Sequence, residues 1–335
     1  MTGARRLEVD RISAGGLPLV IFASALWGSD ALFRRGLALE LPATTVVVYE
    51  HLILAVLMLP FLFRIPWSRL SLRDLGSLVL IGAGASALAT GLFTASFRYG
   101  DPNTVLLLQK LQPVIAVIGA HVVLGERVTR RYAGYFLAAA AGAWLITFPD
   151  PLAVTASTAA AGALAAGAAA LWAMGTVLGR RMSDRLTFTE LTAARFGIGL
   201  PAALLFAVVG PGRAETLAIS RGDVLPLVLL ALIPGLAALL LYYRGLRRTP
   251  ASAATLGELG FPVSALLVNY LAFGAVLTAT QAVGTIFLVA TLMVMAVTGR
   301  RRATNLGVRI ERRPDGAQGA QRSRSGGGKD DHVDG

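Results

Sequence analysis

The stretch LLLQKLQPV places Lys110 between two glutamines, Gln109 and Gln112, with Pro113 next, inside a run of about 20 mostly apolar residues. An ionisable group deep in hydrocarbon costs roughly 2.5 kcal/mol or more, so it normally faces a cavity or a charged partner. The chemistry on offer is recognition of a polar solute: an ammonium for charge, and two amides on neighbouring positions of one helical face for hydrogen bonds. Glu258 supplies a carboxylate in a second such stretch, GELGFPV. Pro113 and Pro262 each remove a backbone donor, so each is expected to bend its helix, either to bare carbonyls to a cavity or to fit a packing contact. Glu50 and His51 are adjacent and point about 100° apart on a helix. One is therefore read as facing the cavity and the other a neighbouring helix. Both titrate, which raises proton coupling; the alternative is hydrogen bonding to backbone or to the third span. Arg195 also lies within an apolar run and needs a cavity or partner. Trp27, Trp172 and Tyr242 are candidates for stacking on a solute, with core packing as the alternative. Asp30 precedes Arg34 by four residues and reads as a helical ion pair near the outer interface. Glu190 sits where an acid favours a helix start.

These groups do not make an enzyme site. There is no cysteine, so no disulfide, thiol nucleophile or thiolate metal site exists, and three histidines leave little for zinc. No HExxH or GxSxG occurs, and GAGASA (82–87) does not follow a strand. No catalytic residue, metal or cofactor is expected. Nor is there a nucleotide-binding cassette, so any transport would draw on gradients.

The elements that must hold these residues are membrane helices. Hydrophobic residues form 55% of the 335 and charged residues 15%, against about a quarter charged in a soluble domain. Ten segments are apolar enough to span: 14–35, 44–64, 75–97, 102–124, 131–148, 157–179, 187–209, 224–246, 250–272 and 279–299. Residues 1–13 read as a cytoplasmic N-terminus and 300–335 as a basic, disordered cytoplasmic tail. With the N-terminus inside, 24 of the 31 lysines and arginines fall on the cytoplasmic side, and only Arg34, Arg35, Arg98, Arg213 and Arg221 outside. That bias puts both termini inside an inner (plasma) membrane. It also accounts for the net charge of +12 by an anionic leaflet, with no nucleic-acid partner.

The chain repeats. ALWGSDALFRRG (25–36) recurs as ALWAMGTVLGRRM (170–182), and residues 93–114 align without gaps on 242–263, Pro113 falling on Pro262 and Gln109 on Glu258. Two copies of five helices, 14–148 and 157–299, follow. Five is odd, so the second copy enters the membrane upside down, the architecture of secondary transporters with a midplane site. At 1.5 Å per residue Lys110 lies roughly 12 Å into its span and Glu258 about as deep from the other side, each a few Å from the midplane. They are expected to pair in the empty cavity and to exchange that partner for solute charge; the alternative is a static pair that fixes packing.

In these motifs the chain resembles the drug/metabolite transporter superfamily, in its ten-helix EamA-type branch. The Ala-Leu-Trp of spans one and six, the leucine-rich approach to Pro-Val in spans four and nine, and VLGERVTRRYAGYFLAAAAGAWLI (123–146) carry the resemblance. It implies an exporter of amino acids or similar small metabolites working by alternating access between the halves, with a multidrug or cation carrier of the same fold as the alternative. The chain departs from the family pattern at several positions. Ala275 stands opposite Glu126, Gln112 and Phe261 stand where members often carry an acid, and His51 stands where many show arginine, although Arg195 keeps it in the second copy. The expected partners are a small-molecule solute and the bilayer. A homodimer through the small-residue spans five and six is compatible with the sequence, as is packing of those spans within one chain.

Overall fold

The computed structural model describes residues 16–125, 130–150, 152, 154–209, 217–246, 257–258 and 260–311, and among these there is helix and no strand. The main helical segments are α1 (Leu17–Glu40), α2 (Ala43–Leu62), α3 (Leu72–Ser96), α4 (Pro102–Leu124), α5 (Arg130–Thr147), α6 (Ala156–Met182), α7 (Phe188–Val209), α8 (Arg221–Gly245), α9 (Gly260–Phe273) and α10 (Ala279–Glu311). Seven of them are long and apolar enough to cross a bilayer, while α9 and the Ala279–Met295 part of α10 are apolar but shorter. The residue pair Arg130–Arg131 at the head of α5 lowers the mean hydropathy of that 18-residue helix. Outward-facing side chains are greasy, with Val56 60%, Leu137 67% and Ile286 66% exposed. A protein surrounded by lipid tails pays nothing for such a surface.

Helix starts are set by local chemistry. Ser71 and Asp74 cap α3 reciprocally, and Ser220 and Asp223 do the same for α8. Thr187 and Glu190 form a third such box at the head of α7, which accounts for the acid there. Helix α1 breaks at Ser29, whose hydroxyl donates to the Leu26 carbonyl at 2.7 Å. Two segments widen into π-helix in mid-span, Leu80–Leu88 of α3 and Ala231–Ala237 of α8, the second around Pro234. Helix α4 tightens into a 3-10 turn over Gln109–Leu111, immediately before Pro113. Pro113 has no N–H to give, so the backbone there takes a tighter turn instead of an unbroken α-helix.

Pro262 behaves differently from its mate. It falls in the first turn of α9, where no backbone donor is needed, rather than in the middle of a long span. The last helix continues to Glu311, past the boundary expected at 299. The expected N-terminal segment, Glu126 and the end of the expected tail lie outside the described residues.

Repetition is visible in the backbone. The capping serines Ser71 and Ser220, the prolines Pro113 and Pro262, and the glycines Gly125 and Gly274 are each 149 residues apart. Those two glycines end α4 and α9 with φ of 70° and 61°, a left-handed turn that favours glycine. Packing repeats as well: α2 lies on α7 and α5 on α10, while α1 packs on α8 and α9 as α6 packs on α3 and α4. Exchanging the first five segments for the second five leaves this pattern unchanged.

Candidate functional site

The ionisable side chains fall into a buried set and a half-buried set. Arg34 is the centre of the buried set, 3% exposed. Its Nε and Nη2 donate to Asp30 at 2.7 and 3.0 Å, its Nη1 and Nη2 to Glu50 at 2.9 and 3.1 Å, and its Nη1 to Thr94 Oγ1 at 2.9 Å. The guanidinium also lies over the Phe93 ring, 5.4 Å from its centre. Asp30 and Arg34 do pair across one helical turn, but inside the bundle rather than at its interface. Two forked carboxylate contacts and a hydroxyl offset the cost of taking the guanidinium out of water. The cluster ties α1 to α2 and α3, and Glu50 is spent on it.

His51, also buried, makes one hydrogen bond with each ring nitrogen. Nδ1 lies 2.9 Å from the Val47 carbonyl, which can only accept, so Nδ1 carries the proton. Nε2, 2.9 Å from Ser86 Oγ, then accepts, and the Ser86 oxygen in turn accepts from Arg195 Nε at 3.1 Å. A neutral ring satisfies every partner in this chain. Arg195 completes its set on the Ala85 carbonyl, 2.9 Å away in the π-helical part of α3. Gly199 makes room, since a Cβ there would stand 2.7 Å from the His51 ring.

The half-buried set sits where α1, α4, α6, α8 and α9 meet. Lys110 does not reach Glu258; its ammonium lies over the Phe261 ring, 4.1 Å from the centre. Glu258 instead accepts a short hydrogen bond from the Tyr242 hydroxyl. The expected Lys110–Glu258 ion pair is therefore not made here: a phenol occupies the carboxylate and an aromatic face the ammonium. Gln112 donates to Thr176 Oγ1 at 3.0 Å, linking α4 to α6, and Gln109 is half-buried one turn before it. Aromatic rings surround these groups. Trp27 and Tyr242 lie 5.0 Å apart, and Trp172 meets Phe93 edge-on at 5.2 Å. Trp27 and Trp172, one from each Ala-Leu-Trp, pack on a single core cluster that contains Phe93 and Phe261. Lys110, Glu258, Tyr242, Gln112, Trp27 and Trp172 are thus brought together, whereas Glu50 and His51 belong to the buried frame.

A cavity of about 400 Å³ lies elsewhere, between α4, α5 and α6, lined by Leu111, Ile115, Phe136, Trp144 and other apolar groups. None of the polar candidates lines it, so it offers no handle for a charged solute.

One polar network was not anticipated. Asn269 Nδ2 donates to Asn103 Oδ1 at 2.8 Å, and Asn103 Nδ2 to the Ala275 carbonyl at 3.3 Å. Close by, Gln281 Nε2 reaches Thr104 Oγ1 at 3.0 Å and Asp101 Oδ2 at 3.2 Å. This network joins the start of α4 to the end of α9 and the start of α10. A lone asparagine within SALLVNYLAF was the available signal. Asn103 and Gln281, at the ends of spans, were indistinguishable from ordinary interface residues.

Comparison with known proteins agrees with this architecture. The model of the EamA-like transporter family matches residues 14–148 and 160–297. The chain is 30% identical over 296 residues to a protein named riboflavin transporter ImpX, from Fusobacterium nucleatum subsp. nucleatum, covering 83% of this chain and 96% of the relative. A solved structure 17% identical in sequence superposes with a TM-score of 0.57 over 86% of this chain and 99% of its own, a likeness of fold alone. With the family matched twice, once on each half of a chain whose apolar helices span a membrane several times, the protein belongs to the EamA-like transporter family and is a transporter rather than an enzyme.

Proposed function

We propose that this chain is a secondary transporter that carries a small polar metabolite by alternating access at a chamber between its two repeats. The observation that carries the reading is the meeting of Lys110, Glu258, Tyr242, Gln112, Trp27 and Trp172, drawn from both repeats, at half-buried positions inside a bundle of membrane helices. Ionisable groups at such depth mark solute pathways. The spans number ten, the repeats are inverted, both termini are cytoplasmic, and the membrane is the plasma membrane, as the arginine distribution supports. Export is the direction we assign. Alternation is supported by an uneven interface between the repeats. The Asn103–Asn269 network joins the two repeats at one place, and Thr176, Tyr243 and Glu258 elsewhere are not fully buried.

The test is counterflow in liposomes. Protein reconstituted with unlabelled amino acids, nucleosides or vitamins inside should accumulate the labelled form of its solute transiently and saturably. Linear, non-saturating flux would contradict a carrier. A second reading is favoured by the relative's name together with the aromatic lining: a flavin-like planar ring fits beside Trp27 and Tyr242 better than an aliphatic amino acid does.

A further inference from the structure

The apolar cavity between α4, α5 and α6 has no part in the chamber, and its lining shows what fits it. At about 400 Å³ it has the size of a small-ligand site. Small residues make the space: Ala139 and Ala143 on α5, and Gly162, Ala163 and Ala166 on α6. The two helices touch where Gly162 meets Thr147, a contact that leaves no room for a Cβ on the glycine. Along α5 the lining runs from Phe136 to Thr147, a rise of about 16 Å at 1.5 Å per residue, against about 15 Å for one leaflet of hydrocarbon. Phe136 and Trp144 line the cavity and yet are 42% and 49% exposed, so it opens on the outer flank of the bundle. Trp144 lies within one turn of the end of α5, the depth at which tryptophan favours the membrane interface.

A buried water needs two to four polar partners, and this lining does not supply them. Among the described residues it holds no charged side chain and one hydroxyl, that of Thr147, which is taken up by the Ala143 carbonyl at 2.7 Å. Left empty, the walls lose their dispersion contacts. We infer that the cavity seats one acyl chain of a membrane phospholipid, which enters past Trp144, lies along α5 and leaves its headgroup at the interface. On the α4 side the chain meets Leu108 and Leu111. Leu111 ends the 3-10 turn that carries Gln109 and Lys110, so the chain packs against the bend that places the lysine. The lipid is therefore a structural ligand of the first repeat, separate from any solute carried between the repeats.

The test reads Trp144 fluorescence of the full-length protein in detergent micelles at rising mole fraction of a phospholipid brominated along one chain. Trp27, Trp67 and Trp172 also fluoresce, so the Trp144 signal is the difference between wild type and Trp144→Phe. Quenching of Trp144 should saturate at low mole fraction, and native mass spectrometry should count one retained phospholipid. Ala163→Phe, which fills the cavity, should raise the half-saturating fraction about tenfold or more. Ala141→Phe, at an exposed position of α5 outside the cavity, should leave it unchanged. Phosphatidylethanolamine and phosphatidylglycerol with the same chains should compete alike, and glycerol phosphate, a headgroup without chains, should not compete. Quenching that rises linearly, saturation untouched by Ala163→Phe, or competition by glycerol phosphate would overturn the inference. So would a lipid-free dimer in the mass spectrum, which would give the cavity to a second copy of the chain. If Ala163→Phe does not yield folded protein, the wild-type curve decides alone: saturation supports the seat and a linear rise overturns it.

Discussion

Asn269 donates a hydrogen bond to Asn103 over 2.8 Å, and the two residues belong to different repeats, α9 and α4. Both are buried, at 0% and 1% exposure, so the bond is made without competition from water. Removing one partner leaves the other unsatisfied, at about 1–3 kcal/mol. Asn269→Leu should therefore favour opening of this end by roughly tenfold, since each 1.4 kcal/mol is a factor of ten. A single cysteine at Ala275, in a chain with no other cysteine, should then react faster with a water-soluble maleimide than in the Asn269 background.

The Arg34 cluster predicts an order of damage. Breaking a buried pair from one side costs about 3–5 kcal/mol because a charge is left behind. Arg34→Met strands two carboxylates and should lower the unfolding temperature in detergent most. Glu50→Gln strands none and should cost less. The double variant Arg34→Met/Glu50→Gln should regain part of the loss, since the two sites share the interaction.

Helices α5 and α10 touch backbone to backbone. A Cβ on Gly284 would lie 2.6 Å from the Gly142 carbonyl oxygen, and one on Gly142 would lie 2.8 Å from that of Gly284. Neither backbone can give way as a side chain can, so Gly284→Ala should destabilise by about 1–3 kcal/mol. Gly134→Ala on the same helix α5 meets nothing within 4 Å and should be neutral or slightly stabilising.

His51, neutral between Val47, Ser86 and Arg195, is part of the frame. Transport should vary little with pH between about 5 and 8 through this residue, an interval in which an exposed histidine would titrate. Wild type and His51→Asn should show parallel pH profiles. Ser86→Ala, which deprives both His51 Nε2 and Arg195 Nε of a partner, should cost stability by about 1–3 kcal/mol.

The sequence revealed what depends on composition and period. Apolar runs located most helices to within a few residues, as with 102–124 against Pro102–Leu124, but not the end of the last one, expected at 299 and found at Glu311, and the repeat was readable from Pro113 and Pro262. Side-chain partners were less legible, because they depend on rotation about the helix axis and on which segment lies opposite. Glu50 next to His51 suggested a choice between cavity and frame, yet Arg34, sixteen residues upstream, draws Glu50 into the frame while Ser86 holds His51. Lys110 and Glu258 were expected to pair, but the Phe261 ring takes the ammonium and the Tyr242 hydroxyl the carboxylate. The π-helical segments of α3 and α8 have no periodic signal beyond small residues and Pro234, and one of them supplies the carbonyl that holds Arg195.

Alternating access requires the two repeats to move apart at the Asn103–Asn269 end during each cycle, and that can be tested directly. Cysteines introduced by Asn103→Cys and Asn269→Cys in this cysteine-free chain should be joined by a short reducible thiol cross-linker. Counterflow should be measurable before cross-linking, abolished after it, and restored on reduction to the rate before the link. Counterflow at the full rate with the link intact would contradict alternating access at this interface.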